Sequence, residues 1–345
     1  MTTIATISEL LELSQSQYRI YDVGRKIDKI SKANFEKIEL NQVPYPFPSQ
    51  GHAFIALAFW QKNIEQQYLW FVKLPLDERG LLNQGARNHF IAIIVEALGA
   101  DLTVNPSEQQ EKLLSNNPYH FTPSQYKLAS LNSIIKCELK QTASDYYKDC
   151  QAYIAGKLAW GNWHNIGVQG ITDFAARINE EENEINLVQA FDNIAVEVLN
   201  PLCTALENQT LSVDLINKII NRIQHPLHTD SAELKSNLLR ALASSAHHPH
   251  VLSTIDLLIN SETLTTDDCI TLVARCWSVF TEKDRLMLFL EHVIKTQSID
   301  LFQSIFKDLV ALPNIRSIIF QCMRDPNRSD AFAQAIGQLF NQTKG

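Results

Sequence analysis

No glycine occurs between Gly170 and Gly337, and that whole stretch reads as one amphipathic helix after another. Ile216/Ile219/Ile220/Ile223, Phe302/Ile305/Phe306/Leu309 and Ile315/Ile318/Ile319/Cys322 each match the i, i+3, i+4, i+7 apolar stripe of a helix that buries one face. Start signals separate the stripes: Asp230 with Glu233, Thr265 with Asp268, Thr281 with Asp284, Pro249, Ser298 and Pro313. Taken two at a time, the helices start near 213, 249, 282 and 313, which is the spacing of helical-hairpin repeats. The expectation for 171–345 is an all-α helical-repeat domain, an α-solenoid of degenerate armadillo or HEAT type, with a compact irregular bundle as the alternative. Pro201 is expected to mark a helix boundary.

Residues 1–170 follow other rules. They hold nine of the eleven glycines, and their 16 Lys and Arg balance 16 Asp and Glu, whereas 171–345 carries 14 against 22 and so the whole net charge of -8. Thr6-Ile7-Ser8-Glu9 has capping-box spacing and opens a short helix. Three strands are expected, at about 35–40, 53–60 and 68–74, the last two as an antiparallel hairpin. Pro44-Tyr45-Pro46-Phe47-Pro48 must be extended. It reads as a stiff lead-in whose aromatics cover the sheet, with a polyproline ligand as the alternative. Ile91, Ile94, Val95 and Leu98 predict a helix ending at Gly99, and capping signals begin near Asn105, Thr122 and Thr142. Together these give an α+β N-terminal domain with a small antiparallel sheet (1–170), followed by the helical-repeat domain (171–345).

Four groups of residues are candidate sites. A helix expected from Asp22 would present Arg25, Lys26, Lys29 and Lys32 on one side, able to contact nucleic-acid phosphates but also able to pair locally with Asp22 and Asp28. Asp77, Glu78 and Arg79, followed by Arg87 and His89, form the most enzyme-like cluster. Adjacent carboxylates on an extended chain point apart, however, so turn stabilisation is the plainer role. Trp160, Trp163 and His164 lie in a glycine-rich segment where composition changes, and could line a cleft or pack a junction. His225 and His228, then His247, His248 and His250, flank a predicted helix, which separates them too far to share a zinc ion; helix capping is expected instead. No catalytic residue, metal or cofactor is assigned.

Six cysteines form no CxxC pair and are expected to be reduced thiols, mostly buried. Met1 to Gln17 lacks Lys and Arg, and no apolar run approaches the ~18–20 residues of a membrane span. A cytoplasmic protein without membrane association is therefore expected. The segments Tyr21 to Lys26, Pro44-Tyr45-Pro46, Trp70 to Glu78 and Trp160 to Trp163 resemble a bacterial domain-of-unknown-function family found chiefly in gammaproteobacteria. The resemblance implies the same two-part layout and carries over no activity or catalytic residue. The leading expectation is a non-catalytic interaction or scaffold protein whose acidic helical surface meets a partner with a basic surface. A nucleic-acid-binding protein is the first alternative, and an enzyme with a cleft at the domain junction the second.

Overall fold

The computed structural model describes residues 4–61, 67–99, 102, 107–180 and 182–342. Packing divides the chain into two compact units, Met1–Ser124 with Val310–Asn314, and Gln125–Leu309 with Ile315–Gly345.

The first, here the sheet unit, has the described elements α1 (Ile7–Leu13), β1 (Ser16–Asp22), β2 (Asp28–Ile30), α2 (Lys32–Glu39), β3 (His52–Gln61), β4 (Tyr68–Pro75), α3 (Gln84–Leu98) and α4 (Glu108–Ser115). The strands form one antiparallel sheet in the order β2-β1-β3-β4. Ile20 lies opposite both Ile30 and Leu57, and Ile55 opposite Val72, so alternate residues of each strand share one face. That face buries Ile20, Ile55, Leu57 and Phe59 against Leu10, Leu11, Phe35, Phe90 and Ile94 of the helices. Each such side chain contributes about 1.5–3 kcal/mol when fully buried. Beyond β4, Lys73 donates its amide to Tyr119 O (2.7 Å) and Phe121 donates to Phe71 O (3.3 Å), covering the strand's outer edge.

The 53–60 and 68–74 hairpin is present as β3 and β4, with residues 62–66 outside the described set. The third expected strand is not: 35–39 belongs to α2 and Leu40 caps its end. The Ser31 side chain accepts the Asn34 N–H at 3.2 Å, and Phe35, Ile38 and Glu39 are buried at helical spacing. Nor does a helix begin near Asp22. Asp22 closes β1, a strand the sequence reading missed, and pairs across to Asp28 and Ile55. Tyr45 is fully buried within the proline-rich lead-in; its hydroxyl donates to Asp22 Oδ1 at 2.7 Å, and Phe47 packs against the core.

The second, helical unit contains α5 (Gln125–Glu138), α6 (Tyr146–Ile154), α7 (Val168–Ala176), α8 (Asn183–Ala190), α9 (Val196–Leu206), α10 (Val213–Gln224), α11 (Ala232–Ala241), α12 (Pro249–Asn260), α13 (Thr266–Ala274), α14 (Lys283–Thr296), α15 (Ile299–Ala311), α16 (Pro313–Met323) and α17 (Asp330–Gln342), with short 3-10 turns between some of them. Neighbours alternate. α5 packs on α7, α7 on α9, α9 on α11 and α11 on α13, while α6 packs on α8, α8 on α10, α10 on α12 and α12 on α14. The starts inferred at 213, 249 and 282 fall at α10, α12 and α14, successive members of the second series. Because both series begin before Gly170, residues 125–170 pack with the helices that follow them rather than with the sheet.

Two local details complete this unit. Pro201 sits inside α9 instead of ending a helix; without an N–H it leaves the Glu197 carbonyl without its usual helical donor, and its own carbonyl accepts the Tyr126 hydroxyl. At Gly170 the α7 backbone passes so close to α6 that a Cβ would stand 2.4 Å from the Tyr146 carbonyl oxygen. Only glycine fits there.

Candidate functional site

The four expected cations are dispersed. Arg25 is buried, its Nε donating to Pro48 O at 3.0 Å and its amide to Asp22 Oδ2 at 3.2 Å. Lys26 pairs with Asp28 at 2.6 Å, and Lys32 places its ammonium 3.7 Å above the Tyr18 ring. Lys29 is exposed in the short strand β2. Turn, strand and helix start each hold a different part of this segment, so no single helical face presents all four.

Asp77, Glu78 and Arg79 are exposed on the turn after β4. Asp77 Oδ1 accepts the Leu81 amide at 2.8 Å and the Arg79 amide at 2.9 Å, while Oδ2 pairs with Arg79 Nη2 at 3.2 Å. The Leu81 donation above all, with the Arg79 contacts, holds this carboxyl below the ordinary aspartate range. Gly80 closes the turn at φ +82 and accepts the Tyr45 amide at 2.8 Å, which anchors the proline-rich segment. A carboxylate tied up in this way is a turn brace. Arg87 and His89 go elsewhere: Arg87 is buried and donates to the Glu39 carbonyl, and His89 Nδ1 lies 3.2 Å from the Tyr119 hydroxyl.

Trp160 and Trp163 share one 3-10 turn, Trp160–Asn165, and are used differently. The Trp160 ring meets Tyr153 edge-on at 5.3 Å, and its carbonyl accepts the Tyr153 hydroxyl at 3.1 Å. That same hydroxyl accepts the Ala195 amide at 3.2 Å, so α6, the turn and the start of α9 meet at one atom. Trp163 is 37% exposed and stacks edge-on with the exposed His164 at 6.0 Å.

Two of the histidines, His248 and His250, hold the start of α12. His248 Nδ1 accepts the His250 amide at 3.3 Å and caps α12, and His250 Nδ1 lies 2.7 Å from Asn217 Oδ1 on α10. Among the described residues no three His, Cys, Asp or Glu side chains gather as a metal would need. All six cysteines are free thiols, and all but Cys137 are buried. Burial pushes the Cys203 and Cys269 thiols up to about 12, far from thiolate reactivity.

What the sequence reading did not find is a set of ionic contacts that tie helices together, some of them buried. Glu207, 2% exposed, takes Arg240 Nη2 at 2.9 Å and Arg275 Nε at 3.2 Å. Asp268, fully buried, takes the Ser236 hydroxyl at 2.6 Å and Lys235 at 2.9 Å. Arg222 joins Asp230 at 2.6 Å and Asp192 at 3.0 Å, and Arg285 joins Asp256 at 2.6 Å. Nothing in either partner's local pattern marks such pairs. The faint signal available was a spacing shared by four of these six pairs, in which the Arg or Lys lies 29–33 residues from its acid.

Once those acids are paired, much of the acidic surplus has a simple location. Glu197, Glu233, Asp267 and Asp300 all stand at the second position of their helices (α9, α11, α13 and α15) and are exposed. Negative charge is favoured there by the helix dipole, at about 0.3–1 kcal/mol each. The first three recur along consecutively packed helices, so they place carboxylates at regular steps on the surface of the helical unit.

No helix among the described residues is long and apolar enough to cross a membrane. No curated protein and no solved structure matches the chain. A family match covers residues 2–340, nearly the whole chain, and so the chain belongs to the family described as Protein of unknown function (DUF3549).

Proposed function

We propose that this protein is a non-catalytic interaction or scaffold protein whose helical unit is an α-solenoid of degenerate armadillo or HEAT type, binding a partner protein along its surface. The observation that carries this reading is the alternating packing of α5 to α14 in two series, as expected when hairpins stack on their neighbours. Such stacks bury a continuous core and leave long helical faces outside. The exposed first-turn carboxylates Glu197, Glu233 and Asp267 favour a partner with a basic surface. Buried free thiols support a cytoplasmic setting, and the family resemblance supports a gammaproteobacterial source.

The test is affinity capture of the full chain from extract of its own host at low salt, run beside the triple variant Glu197→Lys, Glu233→Lys and Asp267→Lys. A partner retained by the natural chain, released by salt and lost by the triple variant is the expected result. No reproducible partner, or one the triple variant holds equally well, would sink the proposal.

A further inference from the structure

We infer that the sheet unit carries a small-molecule site: the cavity between β4, α3 and the end of α4, which takes an aromatic ring system of about indole size bearing one hydrogen-bond donor. The cavity has a volume of about 250 Å³. A dry cavity of ~150 Å³ lined by aliphatic and aromatic side chains accommodates benzene, so this one has room for a bicyclic ring. Trp70, Phe90, Ile94 and Leu114 supply apolar walls, with Trp70 and Phe90 set edge-to-face at 6.3 Å. An aromatic guest would meet further ring edges and faces there, contacts worth about 0.5–1.5 kcal/mol each beyond simple burial.

The other side is polar: Ser115, Asn117 and His120. The commitments of two of their oxygens bear on which polar group a guest should carry. The Ser115 hydroxyl spends its proton on Lys112 O at 3.0 Å. Asn117, 7% exposed, uses its Oδ1 to accept the Tyr119 amide at 3.0 Å, and a carbonyl oxygen keeps a second lone pair. Both oxygens therefore retain acceptor capacity, which matches a guest N–H or O–H, beside the Asn117 amide N–H groups, which would meet a guest acceptor. The region is held in shape from behind, because Val72 and His120 pair as an antiparallel bridge next to the Lys73 to Tyr119 hydrogen bond. A site with apolar walls and a few fixed polar atoms is the usual form of a small-ligand pocket.

Indole is the probe, titrated into the full chain with methyl-labelled Ile, Leu and Val. Saturable binding with nuclear Overhauser contacts from indole protons to the Ile94 and Leu114 methyls is expected. 1-Methylindole, which lacks the donor, should bind about fivefold more weakly, the worth of one hydrogen bond. Ile94→Phe fills the cavity and should abolish binding. Leu114→Trp narrows it from the partly exposed side and serves if Ile94→Phe does not fold. No contacts to either methyl group at millimolar indole would overturn the site. Equal affinity for 1-methylindole would overturn the donor assignment.

Discussion

In the sheet unit the fully buried Glu39 carboxylate takes the Ile7 amide at 2.6 Å, and the Ser8 amide and hydroxyl at 3.0 and 2.6 Å. In the helical unit the buried Glu207 takes two guanidinium groups from later helices. Both carboxylates are satisfied, yet they do different work. Glu39 caps the start of α1 from the end of α2, so it fixes where two short helices meet. Arg87 beside it binds the Glu39 carbonyl, not its carboxylate. Glu207, on the residue closing α9, links that helix to α11 and to the end of α13, and so sets the register of one helix pair on the next. Both acids reach partners about thirty residues away, but Glu39 fixes a single junction of two helices in the sheet unit, whereas Glu207 ties together three helices of the helical unit.

Removing the doubly paired acid is the strongest challenge to that contrast. Glu207→Ala should cost about 3 kcal/mol, because Arg240 and Arg275 lose a buried partner. Urea unfolding measures it, and a cost near zero would mean that solvent already carries the pairing. Gly170→Ala should cost about 2 kcal/mol by forcing α7 away from the Tyr146 carbonyl. The loss should fall in the helical unit, seen as faster amide exchange in α6 and α7 while β3 and β4 are unchanged. Thr265→Ala removes one side of the capping box whose Thr265 hydroxyl accepts the Asp268 amide at 3.2 Å, and should cost about 1 kcal/mol in the same assay.

The smallest effect is a slope with pH. Burial raises the Glu39 pKa above the ordinary glutamate value despite three donors. A carboxyl raised in this way holds its proton more tightly when folded, so its contribution is complete below the ordinary range and is lost as pH rises through the raised value. Asp192 runs the other way. Burial would lift it, but Lys218 and Arg222 outweigh burial and hold it low, so its stabilisation is present above the unfolded value and lost as pH falls through the lowered one. Thermal midpoints from about pH 4 to pH 7 should show Glu39→Gln gaining relative to the natural chain as pH rises, and Asp192→Asn losing. The same sign for both would break the distinction.

Signals contained within one turn were legible in the sequence. Thr6, Thr265, Pro249, Ser298 and Pro313 all mark the helix starts they predicted, because a cap acts within four residues. Six residues from Phe35 to Leu40 are too few for a period of two to be told from one of 3.6, and Ser31 decided the case from outside the window. The strand Ser16–Asp22 buries Tyr18, Ile20 and Asp22 on one side, a pattern that the polar Asp22 and the cations after it mask in the sequence. The contacts of the expected site residues were illegible for a related reason. Asp77 was already bonded to its own turn, while the acids that matter for stacking, Glu207 and Asp268, find partners about thirty residues away.

All six cysteines lie in the helical unit, and the five buried ones are spread from α6 to α16 at Cys150, Cys203, Cys269, Cys276 and Cys322. They make the unit its own stopwatch. A thiol reagent reaches each one only when the helices around it open, so five labelling rates report five local opening free energies along the stack. Equal rates would mean that the helices come apart in one event. A gradient would locate the end from which they peel, with no introduced cysteine and no change to the natural chain.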